Sequence, residues 1–406
     1  MSSQKKLKFA IVGTGNRGVH CFGQLLIKRQ DCEIVALVDP NHVRSGHAAE
    51  ILNIKPMFFH DVEEMLKTVT PDAVVITSPD CTHCANAIAA LQGGCNVLLD
   101  KPLATHVSDC QDIIEVAEKC SKILMMGFNL RHNPVLKKLK SIIDEGTAGK
   151  IFMIENREFY DGGRTYMARW NGDYSISGGL WIHKGSHDFD VFNWLLDFPK
   201  ALRVSAFSTI NALSPDKIPF EIKDGIEPGP RCAVCAYHDQ CKDRYDIHDM
   251  EKILWQDDAI AVDGYMKDRC MYLSDKDTHD NGIAMVEYEN GIKISHFECF
   301  IGSRNDRLFS IVGDRAIAEV SLENRSITIT PRWGNGEAVT HTIQQIEGGH
   351  GGADPALVEA FVKVIHGEQQ ANSTALHGML ASAIGQAAEI SRREHRTVEM
   401  SELFGE

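Results

Sequence analysis

Up to residue 130, short and almost wholly apolar runs alternate with segments of helical period. The runs are "KFAIV", "EIVALV", "DAVVI", "NVLL" and "KILMM". Between them, segments such as 83–92 and 107–119 repeat apolar residues three and four apart. A strand buried on both faces reads as a continuous run, and intervening helices impose a parallel order. Beyond residue 130 the pattern changes. A helix over 134–144 leads into a long strand over 151–159. Strands then dominate: "ALRVSAF", "IAMVEY", "IKISHFECF", "RLFSIV", "AIAEV", "SITIT" and "AVTHTI". Several alternate apolar and polar residues, as a sheet with one covered face requires. Asn290-Gly291 between two of them reads as a hairpin turn. Two helices, 355–366 and 374–392, close the chain. The expected fold is α/β: a doubly wound parallel domain over 1–130, then an α+β domain over 131–406 with a largely antiparallel, open-faced sheet. An irregular insertion over about 211–280 interrupts the second domain.

The segment "SGGLWIHKGSHDFDVFNWLL" (177–196) carries His183, Lys184, His187, Asp188 and Asp190 among bulky apolar residues. At about 100° per residue, Phe189, Phe192 and Leu196 share one helix stripe. His183, His187, Asp190 and Trp194 share a second, roughly opposite. Such a helix buries its aromatic stripe and aims two imidazoles and a carboxylate elsewhere. Lys184 and Asp188 fall on another stripe, where a surface or interface salt bridge is an equal reading.

A chain of 406 residues suits two domains, and 43% hydrophobic residues support a sizeable core. The net charge of −14 argues against nucleic acid or an anionic membrane as partner. No apolar window is long enough to span a bilayer, and the N-terminus lacks the pattern of a signal peptide. Twelve cysteines in that context read as reduced or metal-binding thiols of a cytoplasmic protein.

Gly13, Gly15 and Gly18 give G-x-G-x-x-G between the first strand and its helix, with Asn16 and Arg17 inside the loop. The glycines permit a tight turn, close approach of backbone to a pyrophosphate, and close helix–strand packing. Asp39 ends the second strand, 21 residues after Gly18, where a carboxylate holds a ribose diol. It would repel a 2′-phosphate, which favours NAD over NADP, although Arg44 nearby acts in the opposite sense. Ser78, Pro79, Lys101 and Asn129 follow strand ends and are expected at one crevice, with His83 opening the next helix.

The insertion contains "RCAVCAYHDQC", with Cys232, Cys235 and Cys241, and Cys270 follows. C-x2-C is half of a common zinc site, so a structural zinc with Cys270 as fourth ligand is one reading. Unrelated reduced thiols are the other, because a second C-x2-C is missing.

Together, GTGNRG (13–18), DKP (100–102), "GFNLRHNP" and "GGLWIHKGSHDFD" resemble the Gfo/Idh/MocA oxidoreductases over essentially the whole chain. Asp100 stands where the family usually has Glu, and His183 where it usually has Asp; His187 matches the family histidine. The resemblance implies a Rossmann domain and an NAD(P)-dependent enzyme acting on a secondary alcohol of a sugar or cyclitol. In it Lys101 contacts nicotinamide ribose and substrate, and His183 and His187 occupy the positions of the catalytic pair. The chemistry agrees: a histidine is a suitable base at neutral pH and a lysine stabilises a developing alkoxide. Arg131 and His350 are further candidates for substrate contact, and Asp190 for orienting His187. Self-association as a homodimer or homotetramer would cover the open sheet face. Two other readings stand beside the dehydrogenase. One is a redox-neutral glycosidase with retained NAD, which oxidises C3, eliminates, adds water and reduces again. The other is a cofactor-binding regulatory protein without turnover.

Overall fold

The computed structural model describes residues 6–334 and 336–405. The chain divides into two compact units, and each is built around its own sheet.

The first unit holds the chain up to Asn129 together with Asp246–Lys267 and Asp354–Met379. Its sheet contains β1 (Leu7–Val12), β2 (Cys32–Val38), β3 (Met57–Phe59), β4 (Ala73–Ile76), β5 (Asn96–Leu99) and β6 (Leu124–Met126), in the order β3-β2-β1-β4-β5-β6. Every pairing is parallel. The apolar runs become central strands: Phe9, Ile11, Val75 and Leu98 are buried in one core cluster. Chain direction across the sheet reverses between β1 and β4, the switch point where such sheets bind ligands. The same core takes Leu357 and Phe361 from the closing part of the chain and Leu254 from Asp246–Lys267. That last segment lies within the stretch read above as an insertion of the second domain. It folds as short helices, Asp249–Lys252, Ile253–Trp255 and Asp257–Asp263, packed on the helix His42–Leu52.

The second unit comprises Leu130–Tyr245, Asp268–Ala353 and Leu380–Glu406. Its nine-stranded sheet contains β7 (Ile151–Phe159), β8 (Ala201–Thr209), β9 (Asn281–Tyr288), β10 (Lys293–Cys299), β11 (Asp306–Gly313), β12 (Ala316–Ser321), β13 (Ser326–Pro331), β14 (Val339–Thr342) and β15 (Val398–Glu399). The order is β14-β13-β12-β11-β7-β10-β9-β8-β15, and β7–β10 is the parallel pair within an otherwise antiparallel sheet. The turn at Asn290-Gly291 joins β9 to β10. Phe192, from the helix Ser186–Leu195, packs edge-on against Phe309 of β11 and His296 of β10. The sheet also carries exposed apolar side chains, among them Phe152, Met153, Phe207, Ile283 and Met285, with Phe207 and Ile283 cross-strand partners.

The segment 177–196 is not one helix. It forms Leu180–His183 and Ser186–Leu195, and the break lies at Lys184-Gly185. Gly185 N–H bonds back to Leu180 O at 2.9 Å, one residue further than an α-helix allows. The single-helix stripe geometry therefore does not carry across from His183 to His187. Among the described residues, no helix is long and apolar enough to cross a membrane.

Candidate active site

The dinucleotide half forms at the carboxyl ends of β1, β2 and β4. Gly13 has φ +90°, and a Cβ there would stand 2.7 Å from the Ser78 backbone nitrogen. The two loops approach only because that residue is glycine. At Gly15 an added Cβ meets nothing nearer than the Trp255 ring, at 3.9 Å, so this stretch of backbone is left uncovered for an incoming group. Asp39 Oδ2 accepts from Thr14 N (2.8 Å) and Thr14 Oγ1 (2.9 Å), and its Oδ1 accepts from Asn41 N (2.8 Å). A carboxylate offers about four lone-pair sites, so the fixed Asp39 retains capacity for a diol. The bare glycine backbone and the anchored acid fit the pyrophosphate and adenosine ribose of NAD.

The other loop residues turn inward. Asn16 Nδ2 donates to Glu251, and Asn16 Oδ1 accepts from Trp255 Nε1 at 3.1 Å. Arg17 Nε donates to Asp100 Oδ2 at 2.8 Å and its Nη1 to Asp354 Oδ1 at 3.3 Å. Asn129 Nδ2 donates to the same Asp354 oxygen at 2.8 Å. Asp354 thus joins Arg17 to Asn129. Burial pushes the Asp100 carboxyl up, but the charge and hydrogen bond of Arg17, with Lys101, more than offset it and hold it below the usual range.

Lys101 follows Asp100 directly after β5, in a braced surrounding. His83 Nδ1 lies 2.7 Å from Pro102 O and its Nε2 2.9 Å from Ser78 O, so one imidazole ties the loops after β4 and β5. Thr82 and Asn86 hydrogen-bond the Ser78 hydroxyl. Asp80, 2% exposed, is pushed up to about 7 by burial, against the pull of His83 and Lys101.

The imidazoles lie in the second unit. Gly178 and Gly179 hold φ of +70° and +93°, and a Cβ on Gly179 would stand 2.1 Å from Glu389 Oε1. That left-handed pair turns the chain sharply into Leu180–His183. His183 is buried; its Nε2 lies 2.9 Å from Asn171 Nδ2, and Tyr166 and Trp170 meet its ring edge-on at 5.7 and 5.2 Å. An amide nitrogen only donates, so Nε2 accepts and the ring proton sits on Nδ1. His187 opens the second helix, half-buried, its N–H on Lys184 O at 3.2 Å. Asn171, Tyr166 and Trp170 were not singled out from sequence, where "YMARWNG" reads as a featureless loop.

Lys184 and Asp188 are not on the surface. Lys184 Nζ lies 2.8 Å from Glu158 Oε1, Arg307 Nη2 2.8 Å from the same oxygen, and Arg307 Nε 2.9 Å from Asp188 Oδ1. Both carboxylates are buried. Burial holds Glu158 above its usual range; at Asp188 burial also pushes up, but Arg307, His296 and Lys184 together outweigh it and hold the carboxyl below. Asp190 does not serve His187: it receives a bidentate contact from Arg131, Nε to Oδ2 at 2.8 Å and Nη2 to Oδ1 at 2.6 Å. Arg131, expected at the substrate, is buried within this pair. His350 is exposed and left-handed (φ +52°), and its carbonyl accepts from Asn133 at 3.5 Å.

The four cysteines are free thiols, partly buried. Cys235 Sγ accepts from Gly229 N and Cys232 Sγ from Tyr245 N, both at 3.3 Å. Among the described residues, the one group of three or more metal-ligand atoms within 4.8 Å of one another is Glu158, Asp188 and His296. The cysteine sulfurs do not converge in that way, so the zinc reading is not supported. Lys184 and Arg307 already neutralise the acids of the Glu158 group.

A glycine loop at the switch point of a doubly wound sheet, with an anchored acid ending β2, defines a dinucleotide-binding protein. The chain belongs to the Gfo/Idh/MocA oxidoreductase family. The family's NAD-binding Rossmann fold matches residues 7–128 and its C-terminal alpha/beta domain residues 140–400. YteT of Bacillus subtilis (strain 168) is 27% identical over 422 aligned positions covering 97% of each chain. An inositol 2-dehydrogenase of Salmonella paratyphi B is 29% identical over 252 positions, 60% of this chain and 70% of the relative. The WlbA dehydrogenase of Bordetella pertussis, solved with NADH and UDP-GlcNAcA, has a TM-score of 0.70 at 19% identity, covering 97% of this chain and 99% of that one; it shares the fold.

Proposed function

We propose that this protein is an NAD-dependent dehydrogenase for a secondary hydroxyl of a sugar, glycoside or cyclitol. The observation that carries the reading is that each unit, taken by itself, presents a prepared set of residues. One unit offers an open glycine backbone, a fixed Asp39 and a braced Lys101. The other offers two histidines next to a left-handed glycine pair. The inositol 2-dehydrogenase relative supports the substrate class.

NAD, when bound, supplies the hydride acceptor. The Gly13–Gly18 loop holds the pyrophosphate and Asp39 the adenosine ribose. Lys101 stabilises the alkoxide that develops as the hydroxyl proton leaves. His187 takes that proton. His183, its Nε2 held by Asn171, orients the substrate. Arg131 acts indirectly, as the buried anchor of Asp190. Pairing of two copies through the exposed apolar residues of the second sheet belongs to the same proposal, and a monomer in sedimentation would overturn that part.

The test is a panel of sugars, glycosides and cyclitols with NAD, followed by NADH absorbance, on wild type and on Lys101→Ala. The wild type should reduce NAD with at least one of them. The variant should keep most of its NAD affinity and turn over about 10²-fold more slowly, as expected for one lost electrostatic stabiliser. Glycoside cleavage without net NADH would move the assignment to the redox-neutral glycosidase. Near-normal turnover of Lys101→Ala would remove the lysine from the chemistry.

A further inference from the structure

The adenosine end of the dinucleotide unit has a wall that its Rossmann segment does not supply. Arg44, on the helix after β2, is the cation whose position opposes the preference set by Asp39. Its Nη1 lies 3.8 Å from Asp39 Oδ1, but its Nη2 lies 2.7 Å from Asp263 Oδ2. Asp263 Oδ2 also accepts from Asn41 Nδ2 at 2.9 Å, and the same amide donates to Ala259 O at 2.8 Å. The Arg44 guanidinium lies over the Trp255 ring at 4.6 Å and near Tyr265 at 5.9 Å. Leu254 and Ala259, wholly buried, anchor this segment, and Trp255 reaches back to Asn16 of the glycine loop. Two carboxylates therefore face a single guanidinium that lies over an indole.

We propose that Asp263, delivered by the Asp246–Lys267 segment, is a specificity-determining residue that holds Arg44 away from the adenosine ribose and makes the site select NAD against NADP. An arginine beside this ribose is the group that would accept a 2′-phosphate. Paired to Asp263 and stacked on Trp255, it is no longer available, and the surplus carboxylate repels the phosphate dianion. Asp39 reads the diol; Asp263 suppresses the competing readout. The inference rests on the NAD-dependent reading above and adds to it the residue that sets the preference.

Titration calorimetry with NAD and NADP tests this on the full chain, for wild type, Asp263→Asn and Asp263→Asn/Arg44→Ala. Asp263→Asn keeps an acceptor for Asn41 and removes the charge. NADP affinity should rise about tenfold, the scale of one charge-assisted phosphate contact, while NAD affinity stays within about twofold. The gain should vanish in the double variant, because it acts through Arg44. An unchanged NADP-to-NAD ratio in an Asp263→Asn protein that binds NAD normally overturns the proposal, as does a gain that survives loss of Arg44. Trp255 fluorescence reports whether the segment stays seated. If Asp263→Asn unseats it, Asp263→Ser, which keeps a hydroxyl for Asn41, is titrated in its place, and the same two results support or overturn the proposal. A wild type that binds neither dinucleotide overturns the parent reading instead.

Discussion

Replacing Asp80 with Asn should stabilise the protein increasingly as pH rises from about 4 to 7. Asp80 lies beyond β4, 2% exposed, and burial lifts its carboxyl from an ordinary 3.8 to about 7. Between those values the unfolded chain has released this proton and the folded chain keeps it. Folding stability therefore falls as pH rises across the window and levels off above it. At about 1.4 kcal/mol per pH unit, the single group costs the folded state about 2 kcal/mol at pH 5 and about 4 kcal/mol at pH 8. The amide of the variant is neutral throughout and escapes this. Any fixed cost of fitting that amide into the site is the same at both pH values and cancels in the comparison. Urea titrations of wild type and Asp80→Asn, followed by circular dichroism, should show the stability gap widening by about 2–3 kcal/mol in favour of the variant between pH 5 and pH 8. A gap that is constant or narrows would refute the buried-acid reasoning and place Asp80 in an environment that stabilises its charge.

Two further outcomes follow from the second unit. Asp190→Ala leaves the Arg131 guanidinium, 1% exposed, without its bidentate partner, and should cost about 3–5 kcal/mol in urea unfolding; a loss below about 1 kcal/mol would show that the pair contributes little to the fold. Asn171→Ala releases His183 Nε2 and should lower kcat about tenfold with KM little changed, a fraction of what a proton-transfer group is worth; unchanged kcat would leave Asn171 a packing residue only.

What sequence made legible are demands that a residue meets locally. Gly13 must turn, Asp39 must end a strand, and Lys101 must follow one; each lies where its motif placed it. The break at Lys184-Gly185 was missed because periodicity runs through it, although Gly185 itself was the available signal. Its Cβ would stand 2.6 Å from Trp181 O. Lys184 and Asp188 looked superficial because their partners, Glu158 on β7 and Arg307 on β11, enter through strand pairing that helix period does not encode. Asp190 beside His187 was a same-stripe inference, and Arg131, from the chain before the sheet, took it instead. Nothing in the composition of 246–267 shows that it joins the first unit; Asn16 and Arg44, its contacts, lie some two hundred residues earlier. For the cysteines, the incomplete spacing left a zinc site and unrelated thiols both open, because the path of the loop decides whether sulfurs meet.

The shared core of the first unit has a consequence for biosynthesis. Phe9 of β1 packs edge-on against Phe361 at 6.3 Å, and Leu254 and Leu357 fill the same cluster. A ribosome that has made only the first 129 residues has made all six strands of that sheet, but not Leu254, Leu357 and Phe361, which complete its core. At about 5–20 residues per second, the incompletely covered core around Phe9 waits on the order of ten seconds or more for the closing helix to emerge. Over that interval the nascent chain offers chaperones, or neighbouring nascent chains, an apolar parallel sheet. Deletions downstream of residue 350 should then appear first as aggregation of the amino-terminal unit, far from the site of the lesion.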